Sequence, residues 1–216
     1  MVSARDLVAD VLLALQDDGT PWTPAEVVSY LNDGQCLIVS KSPTATAQEQ
    51  VLTLVAGARQ SVPPEARALL EVLRNVDGRG KAITQVSRRA LDASAPGWAS
   101  ARGKAVISHF VADARTARLF DVYPPALPGV RVLALLCIEP ADIPAPAGPA
   151  LPNVTGQVFL ADEYREALRH YALFRAWSKD AEYGANAAMA KAHFDLCTQA
   201  LGINTGHPST TDDLSN

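Results

Sequence analysis

Eight of the chain's fifteen prolines fall between Pro124 and Pro152. Proline lacks the amide donor and restricts the residue before it, so the densest part, Pro140 to Pro152, can form neither a helix nor a central strand. This predicts an extended connector, packed over a sheet or crossing to a neighbouring chain. The connector divides the sequence, and each side has its own periodicity.

At the start, Leu7, Val8, Val11, Leu12 and Leu15 recur at spacings of three and four with Arg5, Asp6 and Asp10 largely opposite, which predicts an amphipathic helix over Ser3 to Gln16. Asp17-Asp18-Gly19 ends it. In Thr23-Pro24-Ala25-Glu26 the threonine can cap, the proline fits the first helical position and the glutamate completes a capping box. A second helix is therefore expected from Pro24 to Val39, burying Val27, Val28, Leu31 and Ile38. Trp22, in the turn of this hairpin, is expected to fill the hairpin's open end. Beyond the connector, Tyr164, Leu168, Tyr171, Phe174 and Arg175 mark one side of a helix beginning at Asp162. Met189, Ala192, Leu196 and Ala200 mark another, from Asn186 or Ala187 to Leu201, with Gly202 as its stop.

The middle reads differently. Val51 to Val55 is expected as a strand, Ser61-Val62-Pro63-Pro64 as a bend, and Leu69 to Leu73 as a strand or a short helix. Val86 to Ala93 reads as a short helix stopped by Pro96-Gly97. Val106–Ala112 and Arg118–Tyr123 flank the polar Asp113-Ala114-Arg115-Thr116 as an antiparallel hairpin would, and Val130–Ile138 supplies a central strand. The fold class is thus α+β: a helical bundle from N- and C-terminal helices with an inserted small antiparallel sheet. Its parts are a helical hairpin (1–49), a β-rich insertion (50–140), a Pro-rich connector (141–160), C-terminal helices completing the bundle (161–202) and a flexible tail (203–216). The tail is polar and has no Lys or Arg.

The 216 residues include 19% charged residues and a net charge of −4. A chain of this size buries about 70% of its unfolded surface, enough for a core without disulfides or metal. The cysteines, Cys36, Cys137 and Cys197, are odd in number and lie among apolar residues, as buried thiols do. No run of 18 apolar residues suggests a membrane span, and acidic residues in the first apolar stretch are unlike a signal sequence. With a pI near 5.5 there is no general field for nucleic acid.

Chemistry is sparse. Gly80-Lys81 and Gly103-Lys104 lack both the earlier glycine and the following hydroxyl of a phosphate loop, and read as flexible basic loops. His109, His170, His193 and His207 stand apart, without metal-ligand spacing. Ser87-Arg88-Arg89 and Arg67 to Arg74 are basic patches without interleaved aromatics and read as solvated faces. No catalytic, cofactor-binding or metal site is expected.

Several stretches nevertheless resemble one family. They are Trp22-Thr23 with Glu26-Val27, Leu31-Asn32-Asp33-Gly34-Gln35, Val51 to Gln60, Pro63-Pro64-Glu65-Ala66, Val72-Leu73-Arg74-Asn75 and Ile83-Thr84-Gln85-Val86. Further along come Leu91-Asp92 with Pro96-Gly97-Trp98, His109 to Asp113, Phe120 to Pro125, Asp162 to Leu168 and Trp177 to Glu182. Together they resemble the head-to-tail adaptor, or connector, proteins of tailed bacteriophages. The resemblance implies a structural virion protein of the neck, made in the host cytoplasm and assembled as a ring of about twelve copies beneath the portal protein. It implies a β-rich part facing the tail tube or nozzle protein, with Asp113, Arg115, Arg79 and Lys81 in tail-facing loops. It implies a C-terminal segment ordering on the portal through Ile203, Asn204, His207 and Leu214. Genomic DNA would pass through the ring without sequence-specific binding, and no cofactor or membrane is implied. The alternatives are another connector layer, such as a head-closure or tail-completion protein; a small enzyme in which His109, Asp113 and a hydroxyl or thiol converge; and a nucleic-acid-binding regulator.

Overall fold

The structure is a computed structural model that describes residues 2–15, 22–77, 80–113, 115–179 and 184–202. The expected tail residues Ile203, Asn204, His207 and Leu214, and Arg79, lie outside the described residues. The chain divides into two compact units, one formed by 1–35 and 141–216, the other by 36–140.

In the first unit, α1 (Ala4–Ala14) is capped by Ser3, whose hydroxyl accepts from the Asp6 amide, and buries Leu7, Val8 and Val11. Helix α2 (Pro24–Lys41) begins at the capping box. The Thr23 amide donates to Glu26 Oε2 at 2.9 Å, and the Glu26 amide to Thr23 Oγ1 at 3.2 Å. After the connector, a 3-10 turn at Asp162–Tyr164 leads into α4 (Arg165–Ser178), and α5 (Gly184–Ala200) follows. Helix α4 is the shared neighbour. Arg165 pairs with Asp10 of α1, Arg175 with Asp33 of α2 at 2.7 Å, and Phe174 with Phe194 of α5 at 5.0 Å between centroids. At Gly34 of α2 an added Cβ would lie 2.8 Å from the Tyr171 ring, so the two helices approach as closely as glycine permits. Trp22 does not fill the end of a hairpin: its ring packs edge-on against Trp177 of α4 at 5.7 Å, and its Nε1 donates to the Ala176 carbonyl.

The connector is tied to α2 within its own unit. Its prolines donate nothing, so amide side chains of α2 supply the missing pairing. Asn32 Nδ2 donates to the Ile143 carbonyl at 3.0 Å, Asn32 Oδ1 accepts from the Ile143 amide at 2.9 Å, and Gln35 Oε1 accepts from the Phe159 amide at 2.7 Å. Ile143, Val154, Val158 and Leu160 are buried behind these bonds.

The second unit holds two sheets among the described residues, where a single antiparallel one was expected. The first has the order β1 (Ala47–Thr53), β7 (Arg131–Ile138), β3 (Ala66–Asn75), all antiparallel, with the apolar β7 in the centre. Leu69 to Leu73 is thus strand, and part of a ten-residue one. The second sheet has the order β2 (Gly57–Ser61), β6 (Leu119–Ala126), β5 (His109–Ala112), β4 (Thr84–Gln85), in which β4 runs parallel to β5. Helix α3 (Arg88–Ser94) is capped by Ser87 and buries Leu91, which packs with Trp98, Ala58 and Val111. The turn after α2 is tied to the first sheet: Thr46 Oγ1 donates to the Ile138 carbonyl at 2.7 Å. Cys137 and Cys197 are buried, and burial pushes the Cys197 thiol up to about 11; Cys36 is half-buried.

Candidate functional site: a guanidinium cleft on the second unit

Strand β6 runs Leu119-Phe120-Asp121-Val122, and Phe120, Asp121 and Val122 are all buried. A carboxylate so placed loses hydration and must be given partners. Two arginines supply them. Asp121 Oδ2 accepts from Arg59 Nη1, on β2, at 3.1 Å, and from Arg88 Nη2, at the start of α3. The second Nη of Arg59 reaches Asp113, at the end of β5, and Asp113 Oδ1 accepts from the Arg115 amide at 2.7 Å. The Arg115 amide first, and then the Arg59 guanidinium, hold the Asp113 carboxyl below the usual carboxylate range. Arg59 in turn is raised above the ordinary guanidinium value, first by its bond to Asp113.

Arg59, Arg88, Asp113 and Arg115 line a cleft of about 500 Å³. Arg88, on one side of it, has two partners besides solvent. The Arg88 guanidinium lies 5.8 Å from the centroid of the Trp98 ring, and Trp98 Nε1 donates to Asp92 at 2.7 Å. A guanidinium stacked on an indole and bonded to a buried carboxylate has little rotational freedom.

Of the loop residues expected to face a partner, Asp113 and Arg115 come together at this cleft. Lys81 is not among its lining residues; it sits in the turn after β3, where its carbonyl accepts from both the amide and Nδ2 of Asn75, at 2.9 and 2.8 Å. Lys104, read as part of a flexible loop, is tied by backbone bonds to Pro125 and Leu127 at the end of β6. His109 and Asp113 have different partners: His109 Nδ1 lies 2.6 Å from Thr84 Oγ1, while Asp113 engages Arg59 and Arg115. The sequence reading missed Arg59, Arg88 and Asp121. The available signal was Asp121 itself, an acid between two large apolar residues of a strand, which demands a cation from elsewhere in the chain.

Among the described residues no group of three or more His, Cys, Asp or Glu could hold a metal ion, and no helix is long and apolar enough to cross a membrane. The described residues thus present a charged cleft on one unit and, on the other, a helix, α5, with Met189 and Leu196 exposed. The sequence model of the SU10 adaptor protein family matches residues 2–213, and the chain belongs to that family. It is therefore a bacteriophage adaptor, a structural class of virion protein. No curated protein matches the chain.

Proposed function

We propose that the chain is the head-to-tail adaptor of a phage neck: copies close into a ring of about twelve beneath the portal protein, extend the channel for genomic DNA, and offer a platform to the tail tube or nozzle protein. In this reading the terminal helices close into a bundle that forms the ring, residues 203–216 order on the portal, and the β-rich unit with Asp113 and Arg115 faces the tail.

Family membership over residues 2–213 carries the reading, and the surface of α5 supports it. Ala190 and Cys197 are buried against the subunit, but Met189 and Leu196 are 44% and 41% exposed. Its charged side chains Lys191 and Asp195 pair with each other at 2.8 Å, leaving the outer face without net charge. Large apolar side chains left exposed seven residues apart on one helix face suit a contact inside an assembly. A heterologous contact with a second copy covers that face once per subunit, and closes when the rotation between copies divides a full turn.

Electron microscopy of the purified chain, with and without portal protein, tests this. Rings on the portal are expected. A chain monomeric in both conditions, together with virions that join heads to tails without it, would overturn the reading, and a ring seated one layer beyond the portal-proximal position would reassign it to another connector. Deleting 203–216 is expected to leave the fold intact and weaken portal attachment.

A further inference from the structure

The cleft at Arg59, Arg88 and Arg115 has more hydrogen-bond donors than the described residues use. Three guanidiniums carry about fifteen N–H groups. Among the described residues the carboxylates bonded to them are Asp113 and Asp121, and both are committed: Asp121 Oδ2 to Arg59 and Arg88, Asp113 to Arg59 and the Arg115 amide. The Arg115 guanidinium has no bond within the described residues. The acids are deep and the cations shallow: the side chains of Asp113 and Asp121 are 10% and 8% exposed, those of Arg59 and Arg88 47% and 50%. The buried Asp121 and the half-buried Asp113 thus hold two guanidiniums at the mouth, and part of their ordering cost is met before any ligand arrives. Three cations against two anions leave the cleft positive on a chain whose net charge is −4.

We propose that this cleft is a docking socket for an acidic segment of a partner protein, one carboxylate forked onto Arg115 and a neighbouring one bridging the free N–H groups of Arg59 and Arg88. Planar, fixed forks match carboxylates in pairs, and charge-assisted bonds of this kind are the strong ones. A nucleic-acid backbone is a poorer match, because its affinity grows with a long track of phosphate contacts, and the cleft is a single compact cluster on an acidic chain. The proposal rests on the adaptor reading only in taking the partner to be another virion protein.

The test uses the full chain and a fluorescently labelled hexaglutamate peptide at low ionic strength, with an uncharged Gly-Ser peptide and a labelled DNA duplex as comparisons. Arg115→Ala should weaken hexaglutamate binding about tenfold, and Arg115→Glu should abolish it. Because the Arg115 side chain bonds nothing among the described residues, both variants should unfold at the wild-type temperature. Hexaglutamate binding that is absent from the wild type, or equal in wild type and Arg115→Glu, overturns the socket; so does a duplex that binds more tightly than the peptide and is lost in Arg115→Glu. An Arg115→Glu chain that forms rings on the portal but has lost the peptide supports the socket, whereas peptide binding without any ring overturns the adaptor reading alone.

Discussion

Asn75, the last residue of β3, is 1% exposed and joins three stretches of the second unit. Its Nδ2 donates to the carbonyls of Lys81 and Ile107, each at 2.8 Å, and its Oδ1 accepts from the Ile107 amide at 2.8 Å. Replacing it with alanine strands both polar groups of Ile107, itself fully buried; the Lys81 carbonyl keeps the Asn75 amide. Each stranded buried group costs about 1–3 kcal/mol, so Asn75→Ala should lose about 2–6 kcal/mol, a large share of the roughly 5–15 kcal/mol that holds a domain together. Asn75→Asp sharpens the test. Its carboxylate can still accept from the Ile107 amide but must face two carbonyls where a donor stood, which raises its folded pKa above the unfolded value of about 3.9. The variant should therefore approach wild-type stability below about pH 4, where a protonated carboxyl can donate, and fall behind it as pH rises through the raised folded value. Urea unfolding at pH 4 and pH 7 measures both. An Asn75→Ala loss below about 1 kcal/mol, or an Asp deficit that does not grow with pH, would refute the assignment of these bonds.

Gly34→Ala should gain about 1 kcal/mol of helix propensity but press its Cβ to 2.8 Å from the Tyr171 ring and 3.1 Å from Leu168. Overpacking costs about 1–3 kcal/mol, so a net loss is expected in thermal unfolding, and a rise in Tm would contradict the close approach of α2 and α4. Thr23→Ala removes the capping box and should cost about 1 kcal/mol. The Glu26 carboxyl is held low first by Lys179 and then by the Thr23 amide, both of which remain; loss of the smaller contribution of the Thr23 hydroxyl should let it move part of the way back toward its ordinary value, as an NMR titration would show. His170 and His193 stack across α4 and α5 with their Nδ1 atoms 3.1 Å apart. Burial lowers both pKa values. Arg169 opposes the charge on each ring, His170 also opposes it on His193, and only Glu166 favours it, on His170. The pair's contribution is present above the unfolded value of about 6.5 and lost as pH falls below it. A His193→Gln chain should show a shallower decline of Tm from pH 7 to pH 5 than the wild type.

The features legible in the sequence were those that local chemistry decides. Thr23, Pro24 and Glu26 specify the start of α2 within four residues, and the unbroken apolar run of Val132 to Ile138 is what a central strand carries. Strand β2 was not legible. Gly57-Ala58-Arg59-Gln60-Ser61 has no apolar alternation; it is a strand because β6 pairs with it and because Gln60 folds back to bond the amide and carbonyl of Val55. The cleft was equally hidden. Arg59, Arg88 and Asp121 are far apart in the chain, and a basic triplet such as Ser87-Arg88-Arg89 looks solvated until the buried acid that orients Arg88 is known. Net charge concealed the site as well, since an excess of one cation disappears in a total of −4.

The connector shows how one compositional constraint propagates. Proline removes backbone donors from residues 140 to 152, so the segment cannot join a sheet, and an extended chain without a ladder stays in place only if side chains substitute for one. Asn32 and Gln35 do so at one turn's spacing on α2, taking Ile143 and Phe159 as the two fixed points. A segment pinned at both points to its own subunit is poorly suited to lie across a neighbour. In a ring, contacts between copies then fall to the surfaces the subunit leaves uncovered, the outer face of α5 among them. Changing Leu196 and Met189 together to lysine should accordingly abolish ring formation on the portal while leaving the monomer folded, because neither side chain is buried in the single chain. Rings that persist in this variant would place the contact elsewhere.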